Sequence, residues 1–313
     1  MPTGGWLTCR PARVGKQNPA TKLVTTTYSS LMDKLGRVGR LFYGVALAGL
    51  GIQQLAYGRF LPALLPAWPT PLPGLAVWAG LVGAGLLAAG AAIIFTWKAR
   101  LLSLGAGSLL LGLLFGSHVP YELLVDPYSN HLGSWTNALT TLALAGGALT
   151  LAGSPWLASG RQPESAVRST AAGRVSTLGR LCFCTTIVAY GIAHFLYTKY
   201  ISPLVPAWIP DATFWTYFAG VALIGAGSAL LLGICRQLVA LLLGTMLLLW
   251  VISVHAPRVL ATAFPAKRAE LSSLLEALAY TGTALTIASG HSGRKRPASE
   301  NQVQPDAFQE AKH

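Results

Sequence analysis

LAVWAGLVGAGLLAAGAAIIF, residues 75–95, decides how this chain is built. The stretch carries no charged side chain. As a helix rising about 1.5 Å per residue, it is long enough to cross a hydrocarbon layer about 30 Å thick. Past the short turn Thr96-Trp97-Lys98-Ala99, a second apolar stretch covers 100–117, so the two form an antiparallel hairpin. Outward from this hairpin, further windows of the same kind lie at 38–57, 135–153, 178–197, 214–233, 237–255 and 271–289. The turn Ile234-Cys235-Arg236 makes another hairpin of the sixth and seventh windows. The expected fold class is all-α: a polytopic membrane protein with eight transmembrane helices.

Composition agrees with this reading. Charged residues make up 11% of the chain and hydrophobic ones 53%, whereas soluble domains are about 25% charged. A surface this poor in charge has lipid as its main solvent and partner. The net charge of +13 does not point to nucleic acid. The basic residues are spread between apolar windows and lack the interleaved aromatics of a single-strand binding groove. They read as topology determinants instead. With both termini on the cytoplasmic side of an inner (plasma) membrane, 18 of the 23 Lys and Arg fall on the inner segments, as the positive-inside rule requires.

Outside the windows, residues 1–35 read as a disordered basic tail, 155–175 as a cytoplasmic linker and 292–313 as a disordered polar tail. Met32, just before Asp33-Lys34-Leu35-Gly36-Arg37, is an alternative start to Met1. Cys9, Cys182, Cys184 and Cys235 are too scattered for a disulfide framework, and Cys182-x-Cys184 is not a C-x-x-C redox motif. No set of residues has the spacing of a metal site.

Two units, 36–154 and 176–291, carry the windows four apiece, and they repeat one another. A shift of 140 superposes Gly39-Arg40 on Gly179-Arg180, Gly51 on Gly191, and Leu64-Leu65-Pro66-Ala67-Trp68 on Leu204-Val205-Pro206-Ala207-Trp208. The same shift lays Ala79-Gly80 on Ala219-Gly220, and a shift of 137 pairs Gly107 with Gly244 and His118-x-Pro120 with His255-x-Pro257. Four helices per unit is an even number, so the two bundles should be tandem and parallel in orientation. Gly80, Gly83, Gly85, Gly90, Gly220, Gly225 and Gly227 mark expected helix-packing faces.

The second unit reads Tyr190-Gly191-Ile192-Ala193-His194-Phe195, then Pro206-Ala207-Trp208-Ile209-Pro210, then Tyr217-Phe218-Ala219-Gly220-Val221. This order resembles the DoxX-like family of four-helix membrane proteins, and it makes the chain resemble a tandem duplication of that unit. The first unit departs from the pattern, with Gln54 and Leu55 in the places of His194 and Phe195. The resemblance implies a multi-pass accessory protein or subunit of a quinone-linked redox or respiratory system. It implies redox enzyme subunits as partners and quinone as the associated cofactor.

Ionisable groups at membrane depth are costly and therefore candidates for function. Glu276 is the acid expected well inside a span, and His194 and His255 lie towards the same side of the membrane. Tyr190 and His194 are one helical turn apart, as are Glu276 and Tyr280. These pairs predict a polar cavity near the outer leaflet formed by His194, Glu276 and His255, with Tyr190, Tyr217 and Tyr280 around it. Such a group could bind a small polar ligand or a quinol head, or could lock helix packing as a hydrogen-bonded His–Glu pair. In the first unit, Gln54, His118 and Asn137 predict a structural polar cluster without an acid. The Leu-x-Pro-Ala-Trp segments predict an interfacial anchor or a lid over the cavity mouth. With no haem motif or nucleotide fingerprint, a non-enzymatic accessory is expected over a catalyst, and a small-molecule binding or transport protein using the same cavity is the alternative.

Overall fold

The computed structural model describes residues 19–69, 73–154 and 166–290. Every regular element in them is helical. In chain order these are α1 (Pro19–Tyr57), α2 (Leu75–Phe95), α3 (Ala99–Leu113), α4 (Val119–Leu124), α5 (Thr136–Ala152), α6 (Ala166–Leu196), α7 (Thr198–Ile201), α8 (Ala212–Leu232), α9 (Arg236–Trp250), α10 (Ala256–Ala261) and α11 (Lys267–Ser289). Among the described residues, seven helical stretches are long and apolar enough to cross a membrane: Ser30–Tyr57, Leu75–Phe95, Ala99–Leu124, Thr170–Leu196, Ala212–Leu232, Arg236–Ala261 and Lys267–Ser289. The fourth expected span is α5. It is apolar but only 17 residues long, about 26 Å.

Helix ends differ from expectation in four places. Residues 19–35, expected in a disordered tail, are helical as the beginning of α1, and 166–175 of the expected linker begin α6. The remaining tail and linker residues, 1–18, 155–165 and 291–313, lie outside the described residues. The third and seventh helices also run past their windows, to Leu124 and Ala261.

Proline explains that last difference. Pro120 and Pro257 have no N–H, and their rings crowd the carbonyl four residues back. The chain answers with a π turn rather than a break. Leu114–His118 and Val251–His255 each form a five-residue π segment, in which Val119 N–H bonds Leu114 O and Ala256 N–H bonds Val251 O. Such single-turn insertions carry a helix through an obstacle. Here each delivers a histidine, His118 or His255, at its last residue.

The repeat extends to the backbone. α2 and α8 are 137 residues apart, as are α3 and α9, α4 and α10, and the two π turns. The left-handed residues of the loops keep the same offset: Gly74 with Asp211, Thr96 with Gly233, and Lys98 with Cys235. Close contacts fix the remaining register. Gly51 meets Gly83 where Gly191 meets Gly220, and Gly39 meets Gly282 where Gly179 meets Gly146. The first helices are therefore 140 apart, the second 137 and the fourth 136. Gly83 is thus the counterpart of Gly220. The alignment of Ala79-Gly80 with Ala219-Gly220 is corrected by three residues, because the second unit's first interhelical connection is three residues shorter.

Packing departs from two self-contained bundles. α1 lies along α2 and α11, while α6 lies along α8 and α5. α3 packs on α5, α9 packs on α11, and α5 and α11 touch at the centre. Each unit's first helix thus closes against the other unit's last helix. The two last helices are correspondingly buried, nearly throughout 140–152 of α5 and 279–289 of α11. Backbones meet at the glycines: Gly51 and Gly90 on α1–α2, Gly191 and Gly227 on α6–α8, Gly39–Gly282 and Gly146–Gly179 across the units. Tyr43 adds a hydrogen bond from its hydroxyl to Leu144 O at 2.5 Å, joining α1 to α5. Gly80, Gly85 and Gly225, expected to pack, face open space.

Candidate functional site

Among the expected site residues, the most concentrated polar group lies where α6 meets α5 and α11. Tyr190 of α6 reaches across to α5, where its hydroxyl lies 2.6 Å from Thr140 Oγ1 and donates to Thr136 O at 3.3 Å. Its ring packs against that of Tyr280 on α11, with centroids 6.2 Å apart, and Phe183 backs Tyr280 at 6.3 Å. The Tyr280 hydroxyl is buried beside those of Tyr190 and Thr140 but makes no well-formed hydrogen bond among the described residues. Glu276, one turn earlier on α11, is partly buried and acts electrostatically on both tyrosines. The cluster therefore draws on both units, because Thr136 and Thr140 belong to the first.

The other expected members make contacts of their own. His194 bonds through Nδ1 to Tyr190 O of its own helix at 2.7 Å, and its ring stacks on Trp250 at 5.9 Å. His255 faces the ion pair of Arg258 and Glu270, whose closest N–O distance is 2.5 Å. Tyr217 is 42% exposed and stacks on Phe195 at 5.5 Å. Among the described residues, no hydrogen bond or ion pair joins His194, Glu276 and His255. The contacts group these residues as Tyr190–Tyr280–Glu276, His194–Trp250, and His255 beside Arg258–Glu270, with His194 tied to the first group through Tyr190 O.

Sequence reasoning missed a further acid. Glu122 is 3% exposed and one helical turn from His118, which is fully buried. It escaped notice because the third window stopped at residue 117, and only the π turn carries the helix on to it. His118 Nε2 lies 3.4 Å from Thr141 Oγ1, which also donates to Ala63 O in the Leu-x-Pro-Ala-Trp loop. The same loop is held by Trp68, whose indole N–H donates to Ser117 Oγ at 3.2 Å and whose ring meets Tyr121 edge-on. Gln54 completes the tie, donating to Ala79 O at 2.9 Å and accepting from Leu61 N–H.

In the second unit the histidine is kept, as His255, but the other anchors are replaced. The counterparts of Ser117, Tyr121 and Thr141 are Val254, Arg258 and Ala277. Leu64 is 1% exposed but Leu204 is 38%, and Trp208 is 75% exposed. The first loop is a sealed cap and the second is loosely held.

One family model matches the chain over residues 183–282, and its description is Domain of unknown function (DUF8561). That interval contains all six expected site residues and lies wholly within the second unit. No curated protein and no solved structure matches. The DoxX-like resemblance thus rests on the quoted motifs alone.

Proposed function

We propose that this is a polytopic inner-membrane protein of eight spans, two parallel-oriented DoxX-like units with cytoplasmic termini. In this reading it serves as a non-enzymatic accessory or subunit of a quinone-linked redox or respiratory system. The Tyr190–Tyr280–Glu276 cluster takes the polar head of a small hydroxylated ligand. The observation that carries this reading is the buried Tyr280 hydroxyl, which makes no well-formed hydrogen bond with the Tyr190 and Thr140 hydroxyls beside it. A hydroxyl buried unpaired costs about 1–3 kcal/mol, and a ligand oxygen at that position would remove the cost. A quinone head offers such oxygens, and when bound it supplies two-electron, two-proton carrier chemistry. The chain's own part would be to hold that head between Tyr280 and the Tyr190–Thr140 pair, with Glu276 beside it as a proton-holding group.

The test uses the full chain in lipid nanodiscs. A short-chain quinone should bind the wild type, and Tyr280→Phe or Glu276→Gln should weaken it at least about tenfold, or about 1.4 kcal/mol. Equal affinity in all three proteins would sink the cluster as a ligand site. A stable stoichiometric partner on mild purification would support the accessory role. Binding or transport of a non-redox small molecule is the second reading. It is favoured by the π turns that interrupt two helices at equivalent points of the two units, since paired irregular helices mark substrate paths in many transporters.

A further inference from the structure

Where the capping loop of the first unit meets α3 and its π turn, Leu65 and Trp68 of the loop and Gly112, Leu113, Gly116 and Ser117 of the helix line a cavity of about 380 Å³. The two glycines open it, since a Cβ added at either would meet nothing within 4 Å. The same is true at Gly105. Gly105, Ser108, Gly112 and Gly116 share one exposed face of the helix. An open strip about 16 Å long therefore runs down α3 from the cavity. None of the six lining residues is charged. Ser117 is buried, and its Oγ accepts the Trp68 indole N–H at 3.2 Å. A hydroxyl also has a hydrogen to donate, and that of Ser117 has no acceptor among the described residues. Thr245 and Ser253, on the matching helix of the second unit, donate theirs to the carbonyls of Leu241 and Leu249.

The second unit lacks both features. It has Leu242, Leu249 and Val254 in the places of Gly105, Gly112 and Ser117, so the fold itself requires neither the open strip nor the hydroxyl. The chemistry of the place selects its occupant. α3 belongs to a stretch long and apolar enough to cross a membrane, and what reaches its exposed face comes from the bilayer. The volume is near the lower end of the roughly 300–1,000 Å³ of ligand cavities, which suits one chain and not the paired chains of a phospholipid. A helix of another protein, about 10 Å across, would meet Leu65 and Trp68 at the end of the strip. A carboxylate or phosphate head would find no cation in the lining to pair with. The Ser117 hydrogen calls for a neutral acceptor.

We propose that this cavity binds a neutral single-chain lipid. Its ester or ketone carbonyl accepts a hydrogen bond from Ser117, and its chain lies over Gly116, Gly112 and Gly105. The site does not rest on the Tyr280 cluster and would be filled whether or not that cluster binds a ligand.

Photolabelling of the full chain in lipid nanodiscs tests it, with a long-chain fatty acid methyl ester bearing a diazirine in its chain as the probe. In the wild type the label should map to residues 65–68 and 105–117, saturate, and be displaced by the unlabelled ester. Gly112→Leu and Gly116→Leu should each abolish the saturable label. Both side chains enter open space, and leucine is the better helix former, so these variants will fold. Ser117→Ala should weaken displacement by the ester about threefold to tenfold and leave displacement by the matching alkane unchanged. Tyr280→Phe should leave the labelling intact, which separates this site from the proposed ligand site. Label that never saturates, as for lipid that merely surrounds the protein, or that survives both leucine variants would overturn the proposal. Ester and alkane affected alike by Ser117→Ala would overturn it equally.

Discussion

At Gly51 a methyl group would lie 2.5 Å from the Leu87 backbone nitrogen and 2.6 Å from Gly83 O. The obstacle is backbone, so no rotamer change relieves it. Gly90 is in the same position against Ala48 N and Gly44 O. In lipid there is little hydrophobic drive for helices to associate, and close approach of backbones supplies much of their attraction. Gly51→Val or Gly90→Val should therefore cost about 1–3 kcal/mol, seen as a lowered melting temperature in detergent. Gly85→Val faces open space and should stay within about 0.5 kcal/mol of wild type. The sequence marks all these glycines alike. Which of them touch a neighbouring backbone depends on rotation about the helix axis, and an apolar span flanked by apolar neighbours does not encode that rotation.

The two Leu-x-Pro-Ala-Trp loops show how one sequence motif yields two different elements. Their own residues are nearly the same, and what differs is the surface beneath them. Ser117, Tyr121 and Thr141 supply donors, acceptors and an aromatic edge to the first loop. Val254, Arg258 and Ala277 supply none to the second. Opening of a segment follows the number of such ties. A cysteine placed at Leu204 should react with a water-soluble maleimide at least about tenfold faster than one placed at Leu64, in a background lacking the native cysteines. Adding Thr141→Val should raise the Leu64→Cys rate, because it removes the tie to Ala63 O. Equal rates at both positions would remove the distinction between a sealed and a loose cap.

Across the whole molecule, the exchange of partners between units has a direct consequence for folding. α1 packs on α11 as extensively as on α2, and α6 on α5 as on α8, so each half holds only one of the two main packing partners of its own first helix. Residues 19–154 and 166–290 expressed separately should fail to stay folded in detergent, whereas co-expression should give a stable one-to-one complex. Size-exclusion chromatography with light scattering decides this, and two independently stable halves would refute the interlocked packing. The same exchange explains why Thr136 and Thr140 of the first unit belong to a cluster otherwise built from the second.

By itself the sequence determined the all-helical class, the apolar stretches, the hairpins at 96–99 and 234–236, and the duplication. Each of these rests on local hydrophobic length or on residue identity at a fixed offset, which adjacent residues encode. It also marked Tyr190, Tyr280 and Glu276, because i, i+4 spacing follows from the helix alone. Only the tertiary structure decided that each unit closes on the other, that His194 stacks on Trp250, and that Glu122 lies buried one turn from His118. Those outcomes depend on helix rotation, on a π turn that shifts register before a proline, and on contacts between residues more than a hundred positions apart. No periodicity within a single apolar window records such contacts.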